Sequence, residues 1–285
     1  MPSAISVQRL SDLTGHSHSG NLARFRSCLR GIIQEAWTNS GTDSILIFGY
    51  PGNGKTSLID SVGADLSSKF PGAEAVTVRC HSLVPRLTAV AVLDRLHEVE
   101  QIVQSEPDRP RVIIFDEFDA ISIDRAATTG DRSVCFWCMR FLEDLTDYEN
   151  TVVLLITNKP EIIDEAVSRK VEKILYLPFP DDDAVAPILA SKIRMENVSE
   201  VVAEIAKLCT HHRIRAAIRG LVRGLRLAQS RGYIEDGLLR ASLSDVAEAI
   251  VANPAFVPHA RLLRYEDMYS EYMVGSDFLL KCYAT

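Results

Sequence analysis

Hydrophobic and polar positions between residues 44 and 177 form two kinds of segment that alternate along the chain. Five short runs are almost continuously apolar and rich in β-branched residues, at 44–48, 75–79, 112–115, 151–157 and 173–177. Longer segments with a helical period lie near 56–69, 88–104, 131–147 and 161–168. Strands that are apolar on both faces are typical of a sheet covered by helices on both sides. The pattern therefore predicts an α/β fold, with a five-stranded parallel sheet in an αβα sandwich.

The pattern changes after residue 177. Residues 178–183 read PFPDDD, a breaker cluster that ends in an acidic helix start. Helical periodicity follows at 181–195, 198–209, 211–231, 242–252 and about 265–282. We therefore predict three parts: a flexible N-terminal arm over 1–20, the αβα domain over 21–180, and an all-α lid domain over 181–285 that ends in a docking helix.

Composition adds limits on partners and compartment. The chain has 285 residues, of which 47% are hydrophobic and 24% are charged, as in ordinary globular proteins with a sizeable core. Its 38 acidic residues against 31 Lys and Arg give a net charge of −7, which disfavours nucleic acid as the main partner. The apolar runs are far shorter than the roughly 20 residues of a membrane span, and no secretory signal is visible. We expect a cytoplasmic protein with no membrane segment.

The first motif with chemistry is a phosphate loop. Residues 49–56 read GYPGNGKT, which fits G-x-x-x-x-G-K-[ST] directly after a predicted strand and before a predicted helix. Glycines allow backbone N–H groups to turn towards phosphate oxygens, Lys55 neutralises the β and γ phosphates, and Thr56 ligates Mg²⁺. The predicted nucleotide-binding residues are Gly49, Pro51, Gly52, Asn53, Gly54, Lys55, Thr56 and Ser57.

The second motif is a pair of adjacent carboxylates at a strand end. Residues 112–119 read VIIFDEFD, so Asp116 and Glu117 leave the strand in different directions. Asp116 can order Mg²⁺ and contribute to the nucleotide site, while Glu117 can polarise the water that attacks the γ-phosphate. A second carboxylate favours hydrolysis over transfer to an acceptor. The predicted cofactors are ATP and Mg²⁺.

These motifs together resemble the AAA+ ATPase superfamily over about residues 22–250. In the stretch VVLLITNKP at 152–160, the resemblance implies that Asn158 is the polar sensor that positions the attacking water. It further implies that Arg169 is an arginine finger for the neighbouring subunit's ATP, with Lys170 in a position that many relatives fill with a second arginine. In the lid it implies a nucleotide-sensing arginine at a helix start, assigned to Arg213 with Arg215 as the reserve.

Within that superfamily, the chain resembles the pachytene-checkpoint ATPases that remodel HORMA-domain proteins, and their bacterial relatives in anti-phage signalling operons. The residues that carry this resemblance are VRCHSL at 78–83, the VSR that ends at Arg169 and the HHR that ends at Arg213. The resemblance implies a homo-oligomer, a hexameric ring that unfolds or disassembles a protein client. The candidate pore loop, Val84–Leu87, offers no aromatic ring for gripping that client.

Two other functions stay open from the sequence alone. One is a DNA-associated AAA+ ATPase, a transposition regulator or loader, that places the lid arginines on phosphates. Those arginines form a helical stripe that is also typical of a solvated or subunit-facing surface, at positions 215, 219, 223 and 226. The other is an ATP-dependent switch that generates no force. Cys135 and Cys138 have C-x-x-C spacing but lie in a helical pattern without a partner pair, which favours a structural role.

Overall fold

The structure is a computed structural model that describes residues 4–16, 18–82, 89–122, 133–145, 148–192, 198–212, 214–236, 238–252, 256–258 and 279–282. Its strands are β1 (Ile5–Arg9), β2 (Asp43–Gly49), β3 (Glu74–Arg79), β4 (Arg111–Asp116), β5 (Thr151–Thr157), β6 (Lys173–Leu177), β7 (Ile214–Ala216), β8 (Ile234–Glu235), β9 (Leu238–Leu239), β10 (Phe256–Pro258) and β11 (Leu279–Cys282). Its helices are α1 (Gly20–Thr38), α2 (Lys55–Ser67), α3 (Ala89–Ser105), α4 (Ser133–Leu145), α5 (Glu165–Ser168), α6 (Asp182–Lys192), α7 (Val198–His212), α8 (Ile218–Ser230) and α9 (Leu243–Val251).

The central sheet has the order β1-β3-β4-β5-β2-β6-β11. Its inner strands, β3 to β6 together with β2, are mutually parallel and correspond to the five predicted runs, so the predicted α/β class is confirmed. Within β4, Ile113 and Phe115 pack on the face covered by α3 and α4. Val112 and Ile114 pack on the opposite face, which α1 and α2 cover. This two-sided burial explains why the strands are continuously apolar.

The sheet is nevertheless wider than the five strands predicted. At one edge β1 pairs antiparallel with β3, so part of the segment predicted as a loose arm is a strand. At the other edge β11 pairs antiparallel with β6. Edge strands are held mainly by backbone hydrogen bonds and need few core side chains. In β1, Ile5 is the buried residue, which leaves little hydrophobic pattern for a sequence to reveal.

The region after β6 packs around a core of its own. Leu189, Ile205, Leu221 and Val246, from α6, α7, α8 and α9, belong to one buried cluster. The prediction of an all-α lid is wrong in detail, because β7 pairs with β10 and β8 pairs with β9. The predicted helix over 211–231 is also wrong, because β7 lies between the end of α7 and the start of α8. Among the helices described, none combines the length and apolar character that crossing a membrane requires.

The C-terminal docking helix predicted at about 265–282 also differs from the structure. Residues 279–282 are the edge strand β11 and not the end of a helix. The remainder of that prediction, 265–278, lies outside the described residues.

Candidate nucleotide site

Lys55 lies at the centre of the predicted nucleotide site, where it forms the Lys55 cluster with Gly49, Tyr50 and Asn158. It is the first residue of α2, six residues after β2 ends at Gly49, and its side chain is only 7% exposed. Its Nζ donates hydrogen bonds to the carbonyl oxygens of Gly49 (2.7 Å) and Tyr50 (3.2 Å). It also donates to Oδ1 of Asn158 at 2.6 Å. The structure therefore brings the predicted phosphate-binding lysine and the predicted sensor into direct contact, although 103 positions separate them in the chain.

The electrostatics of Lys55 favour an anionic ligand. Burial lowers the pKa of Lys55 to about 8, and the negative charges of Asp116 and Asp119 oppose that shift. A further anion close to Nζ would stabilise the protonated form, because opposite charges favour ionisation. The site thus holds a desolvated cation beside the N-terminus of a helix, where unpaired backbone N–H groups also favour phosphate.

The shape of the loop depends on its glycines. Gly52 and Gly54 have φ angles of 81° and 83°, in the left-handed region that side chains other than glycine rarely adopt. A Cβ on Gly52 would lie 3.0 Å from Cβ of Arg219, and one on Gly54 would lie 3.0 Å from Cδ1 of Ile218. The loop is therefore packed directly under the first turn of α8.

Asn53 has a different contact from the one predicted. Its side chain is 1% exposed and turns away from the loop, and its Nδ2 donates to the carbonyl oxygens of Pro178 (2.6 Å) and Leu177 (3.3 Å). This side chain binds the link between β6 and α6. Asn53 therefore connects the phosphate loop to the start of the lid, and its predicted part in nucleotide binding stays a prediction.

A second buried asparagine holds the same link from the other side. Nδ2 of Asn21, in α1, donates to the carbonyl oxygen of Phe179 at 2.6 Å. Its Oδ1 accepts from the backbone N–H of Asp181 at 3.1 Å. The link is thus tied both to the phosphate loop and to the first helix.

Asp116 and Thr56 supply the oxygen atoms predicted for a magnesium site. Oγ1 of Thr56 donates to Oδ2 of Asp116 at 3.4 Å, so the two side chains face each other. Mg²⁺ prefers such oxygens and usually completes its shell with substrate phosphates and water, so these residues fit the ion. Within the ranges described, no three His, Cys, Asp or Glu side chains are grouped so as to hold a metal by themselves. One turn beyond Thr56, burial raises the pKa of Asp60; His16 opposes this shift, and Asp116 adds to it.

Glu117 is held outside the Lys55 cluster by a histidine. Its backbone is left-handed, with φ 56° and ψ 48°, an uncommon conformation for glutamate. Its Oε2 lies 2.7 Å from Nδ1 of His81, and both side chains are exposed. In the sequence His81 enters only through the family resemblance, and its contact with Glu117 is not predicted. The contact follows from the pairing of β3 with β4, because the residues after two parallel neighbouring strands meet at the same edge of the sheet.

A side-chain hydrogen bond connects the end of β5 to the segment that follows β4. Oγ1 of Thr157, which is fully buried, donates to Oδ1 of Asp119 at 2.8 Å and accepts from the backbone N–H of Lys159 at 2.9 Å. This pair fixes the chain immediately before Asn158 to the chain immediately after the paired carboxylates. Asp119 is a residue of the site that the sequence analysis did not assign.

Arg169 and Lys170 lie apart from the Lys55 cluster. Arg169 follows the short helix α5, is 71% exposed, and pairs through Nη2 with Oε1 of Glu165 at 2.5 Å. Lys170 pairs with Glu143 on α4. Both side chains are at the surface, so the roles predicted for them concern a neighbouring molecule.

The lid arginine at the loop is Arg219. Its backbone N–H donates to the carbonyl oxygen of Gly52 at 3.1 Å, in the first turn of α8. Arg213, the residue predicted for this role, lies outside the described residues. The predicted helix over 211–231 places Arg219 only in the arginine stripe, whereas in the structure β7 intervenes and α8 begins at Ile218, which brings Arg219 to the loop.

Comparison with known proteins agrees with this geometry. The model of the ATPase family associated with various cellular activities (AAA) matches residues 45–179, which contain both motifs, Asn158 and Arg169. Residues 45–179 are an AAA ATPase domain. The predicted family and the predicted class of enzyme domain are therefore confirmed.

Relatives of this AAA domain include proteins much longer than the matched region. The proteasome-activating nucleotidase of Methanocaldococcus jannaschii is 30% identical over 58% of this chain and 38% of its own length. The cell division cycle protein 48 homolog of Archaeoglobus fulgidus is 27% identical over 72% of this chain and 28% of its own length. The chain thus spans well under half of either relative.

A solved structure is similar over most of the chain. A chain of the E. coli MS115-1 HORMA:CdnC:Trip13 complex matches with a TM-score of 0.67 and 16% identity, over 90% of this chain and 99% of that one. At this identity the similarity is one of fold. It extends beyond the AAA domain into the lid.

Proposed function

We propose that the chain is a MgATP-hydrolysing remodelling ATPase that forms a hexameric ring in the cytoplasm and unfolds or disassembles a protein client. The first candidate client is a HORMA-domain protein of a bacterial anti-phage signalling system. Support comes from the AAA domain and from a fold neighbour that was solved in a complex containing a HORMA protein. The observation that carries ATP hydrolysis is the contact of Lys55 with Asn158 beside the Thr56–Asp116 pair.

In this proposal the loop and Lys55 hold the phosphates. The carbonyl oxygens of Gly49 and Tyr50 and the side chain of Asn158 now accept from Nζ, and phosphate oxygens take over part of this role when nucleotide binds. Mg²⁺, held by Thr56 and Asp116, would neutralise charge that develops on the phosphates. Arg219, at the start of α8, takes the lid-sensing role predicted for Arg213, because it already contacts the loop at Gly52.

Glu117 acts as the general base that polarises the attacking water, and Asn158 positions that water. In the structure Glu117 is paired with His81, so it must leave this contact to reach a water near Lys55. His81 precedes the candidate pore loop, Val84–Leu87, which lies outside the described residues. The contact therefore gives a route by which client binding at that loop would release the base.

Arg169 completes the site of the adjoining copy. Its guanidinium is exposed and its described partner is a glutamate on the same short helix, so it is free to exchange that partner for a γ-phosphate. Lys170, which keeps the charge without the planar fork, is the secondary candidate. Hydrolysis would then depend on assembly.

Two variants test this division of roles. Glu117→Gln should retain ATP binding and lose turnover, and Arg169→Ala should do the same, because each lacks one half of a shared site. Mixing the two should restore turnover, since a Glu117→Gln copy offers an intact finger to an Arg169→Ala copy that has intact carboxylates. Arg140→Ala, an exposed arginine paired within its own helix, is the matched control and should keep normal turnover.

The measurements are ATP hydrolysis, binding of a fluorescent ATP analogue, and particle mass by sedimentation. Unimpaired turnover of either variant alone would overturn the assigned role of that residue. A mixture as inactive as its components would overturn action between copies. For the client, the Glu117→Gln ring should retain a HORMA-domain protein in the presence of ATP and release it in ADP.

A second candidate, the DNA-associated ATPase, is favoured by one observation. Arg223 and Arg226 are exposed on α8, and no acidic side chain in the described residues forms an ion pair with them. Salt-titrated DNA binding separates the candidates. A slope of several units in log K against log salt, reduced by Arg223→Ala and Arg226→Ala, would favour DNA, whereas binding that is weak at all salt concentrations favours the protein client.

A further inference from the structure

The hydroxyl of Thr157 is a buried polar group at the carboxyl end of β5, a strand whose other side chains are mostly apolar. A buried hydroxyl is stable only when it has hydrogen-bond partners. Its Oγ1 donates to Oδ1 of Asp119 at 2.8 Å and accepts from the backbone N–H of Lys159 at 2.9 Å. The hydroxyl thus joins the residue before Asn158 to the residue after it, and ties both of them to Asp119.

Asp119 belongs to a turn that is anchored in the core. The residue before it, Phe118, is buried, and its ring packs edge-on against that of Phe115 at a centroid distance of 6.0 Å. Oγ of the fully buried Ser122 donates to the carbonyl oxygen of Phe118 at 3.1 Å. The turn begins directly after Glu117. The carboxylate of Asp119 is therefore held on a fixed support, and Glu117 adjoins the same support.

Asn158 follows β5 between two other strands of the central sheet. On one side β4 leads into the turn that contains Asp119, and on the other side β2 leads into the phosphate loop. In β2 the register partner of Thr157 is Phe48, the residue before the first glycine of that loop. On the loop side, Oδ1 of Asn158 accepts from Nζ of Lys55 at 2.6 Å. On the side of β4, the hydrogen bond from Thr157 to Asp119 holds the same segment, so Asn158 is supported from both sides.

We propose that Asp119 is a positioning residue for ATP hydrolysis, because it holds Asn158 at a fixed distance from Glu117. The hydroxyl of Thr157 transmits this support, and neither Asp119 nor Thr157 needs to contact the nucleotide. Asn158 positions the attacking water and Glu117 polarises it, so a misplacement of about 1 Å between them can slow hydrolysis about 100-fold. The inference rests on the proposed role of Asn158 as the sensor.

The test measures kcat and KM for ATP hydrolysis by the full chain in Thr157→Val and Thr157→Ser. Val has nearly the shape of Thr but lacks the hydroxyl, whereas Ser keeps a hydroxyl that can donate to Asp119. We expect Thr157→Val to lower kcat about tenfold with KM within about threefold of the wild type, because the lost contact orients Asn158 and touches no phosphate. Thr157→Ser should keep kcat within about twofold of the wild type. A normal kcat in Thr157→Val, or an equal loss in Thr157→Ser, overturns the proposal.

Variants of Asp119 test the other partner of the same hydrogen bond. Asp119→Asn keeps an oxygen that accepts from Thr157 and should retain kcat within about twofold, whereas Asp119→Ala should lower kcat as much as Thr157→Val does. Because Asp119 is only half-buried, these variants keep the proposal testable if Thr157→Val does not fold. Equal losses of kcat in Asp119→Asn and Asp119→Ala contradict a role of the hydrogen bond.

Thr151→Val is the matched control. Thr151 is as fully buried as Thr157 and lies in the same strand, but at its opposite end. Its Oγ1 donates to the carbonyl oxygen of Glu149 at 3.3 Å, two residues away in the chain. Thr151→Val should therefore hydrolyse ATP at the wild-type rate, and a loss equal to that of Thr157→Val would assign the effect to the core of β5 and overturn the proposal.

Combination with Asn158→Ala tests whether the effect passes through the sensor. If Asp119 acts by orienting Asn158, Asp119→Ala should lower kcat no further once Asn158→Ala is present. A merely structural role of Asp119 would lower kcat by the same factor in both backgrounds, and that result overturns the proposal. If Asn158→Ala by itself hydrolyses ATP normally, the proposed sensor role fails, and the present inference fails with it. If Asn158→Ala is impaired and Thr157→Val is not, only the present inference fails.

Discussion

The two ends of β2 carry charged clusters that are satisfied in different ways. At the carboxyl end, Lys55 is buried among carbonyl oxygens and Asn158, and its pKa is lowered to about 8. At the amino end, the buried Asp43 accepts a hydrogen bond at Oδ2 from Nζ of Lys173. The first cluster is a cation in a site that an anion would stabilise, whereas the second is neutralised by its own groups. A buried charge that binds a ligand therefore differs from one that supports the fold in how the protein's own groups compensate it.

The largest expected effect comes from removing the cation at the carboxyl end. Lys55→Ala should weaken ATP binding about 100-fold, because a charge-assisted contact to phosphate contributes about 2.7 kcal/mol. The free energy of unfolding of the free protein should not fall, since the lost group is a desolvated charge. Isothermal titration and chemical denaturation measure the two quantities. A lower free energy of unfolding with unchanged ATP affinity would show that Lys55 supports the fold and does not bind the ligand.

At the amino end of β2 we expect the opposite result, a loss of stability with little change in ATP affinity. Asp43→Ala should lower the free energy of unfolding by about 1–3 kcal/mol, because Lys173 loses a buried partner. Its affinity for ATP should stay within about twofold of the wild type, since this end of β2 contacts no phosphate. Denaturant titration at pH 6.5 and ATP titration of the same sample provide both numbers. Asp245→Asn, in the exposed cap of α9, is a control for general destabilisation.

The smallest expected effect is on the pH dependence of ATP binding. The pKa of Lys55 is lowered in the free protein, so the side chain loses its proton as pH rises through about 8. Bound phosphate favours the protonated form, and affinity should therefore fall about fivefold between pH 8 and pH 9. In the same range the free protein should become more stable as pH rises, because the unfolded chain still holds the proton. Lys55→Arg, which stays charged, should bind ATP with little change over this range; a parallel fall would assign the effect to another group.

Most of the fold could be predicted from the sequence because its central strands are buried on both faces. Such strands are continuously apolar, and the five runs between 44 and 177 match β2 to β6. The edge strand β1 could not be predicted, since a strand held by its backbone at a sheet edge carries little hydrophobic pattern. The lid was predicted as purely helical because its strands are two or three residues long.

The candidate site also contains residues that local sequence predicts and contacts that it does not predict. The phosphate loop and the paired carboxylates have fixed spacing within a few residues, so local sequence was enough to predict them. The contacts of His81 with Glu117 and of Asp119 with Thr157 join residues far apart in the chain. They required the knowledge that β3, β4 and β5 are adjacent in the sheet.

The αβα sandwich, the phosphate loop and the carboxylate pair can be predicted from the amino-acid sequence, because hydrophobic period and local spacing are properties of neighbouring residues. The contacts of Arg219 with Gly52, of Asn53 with the lid link and of Asp43 with Lys173 depend on the tertiary structure. Each of these contacts joins segments 120 or more residues apart, so no local pattern of the sequence records it.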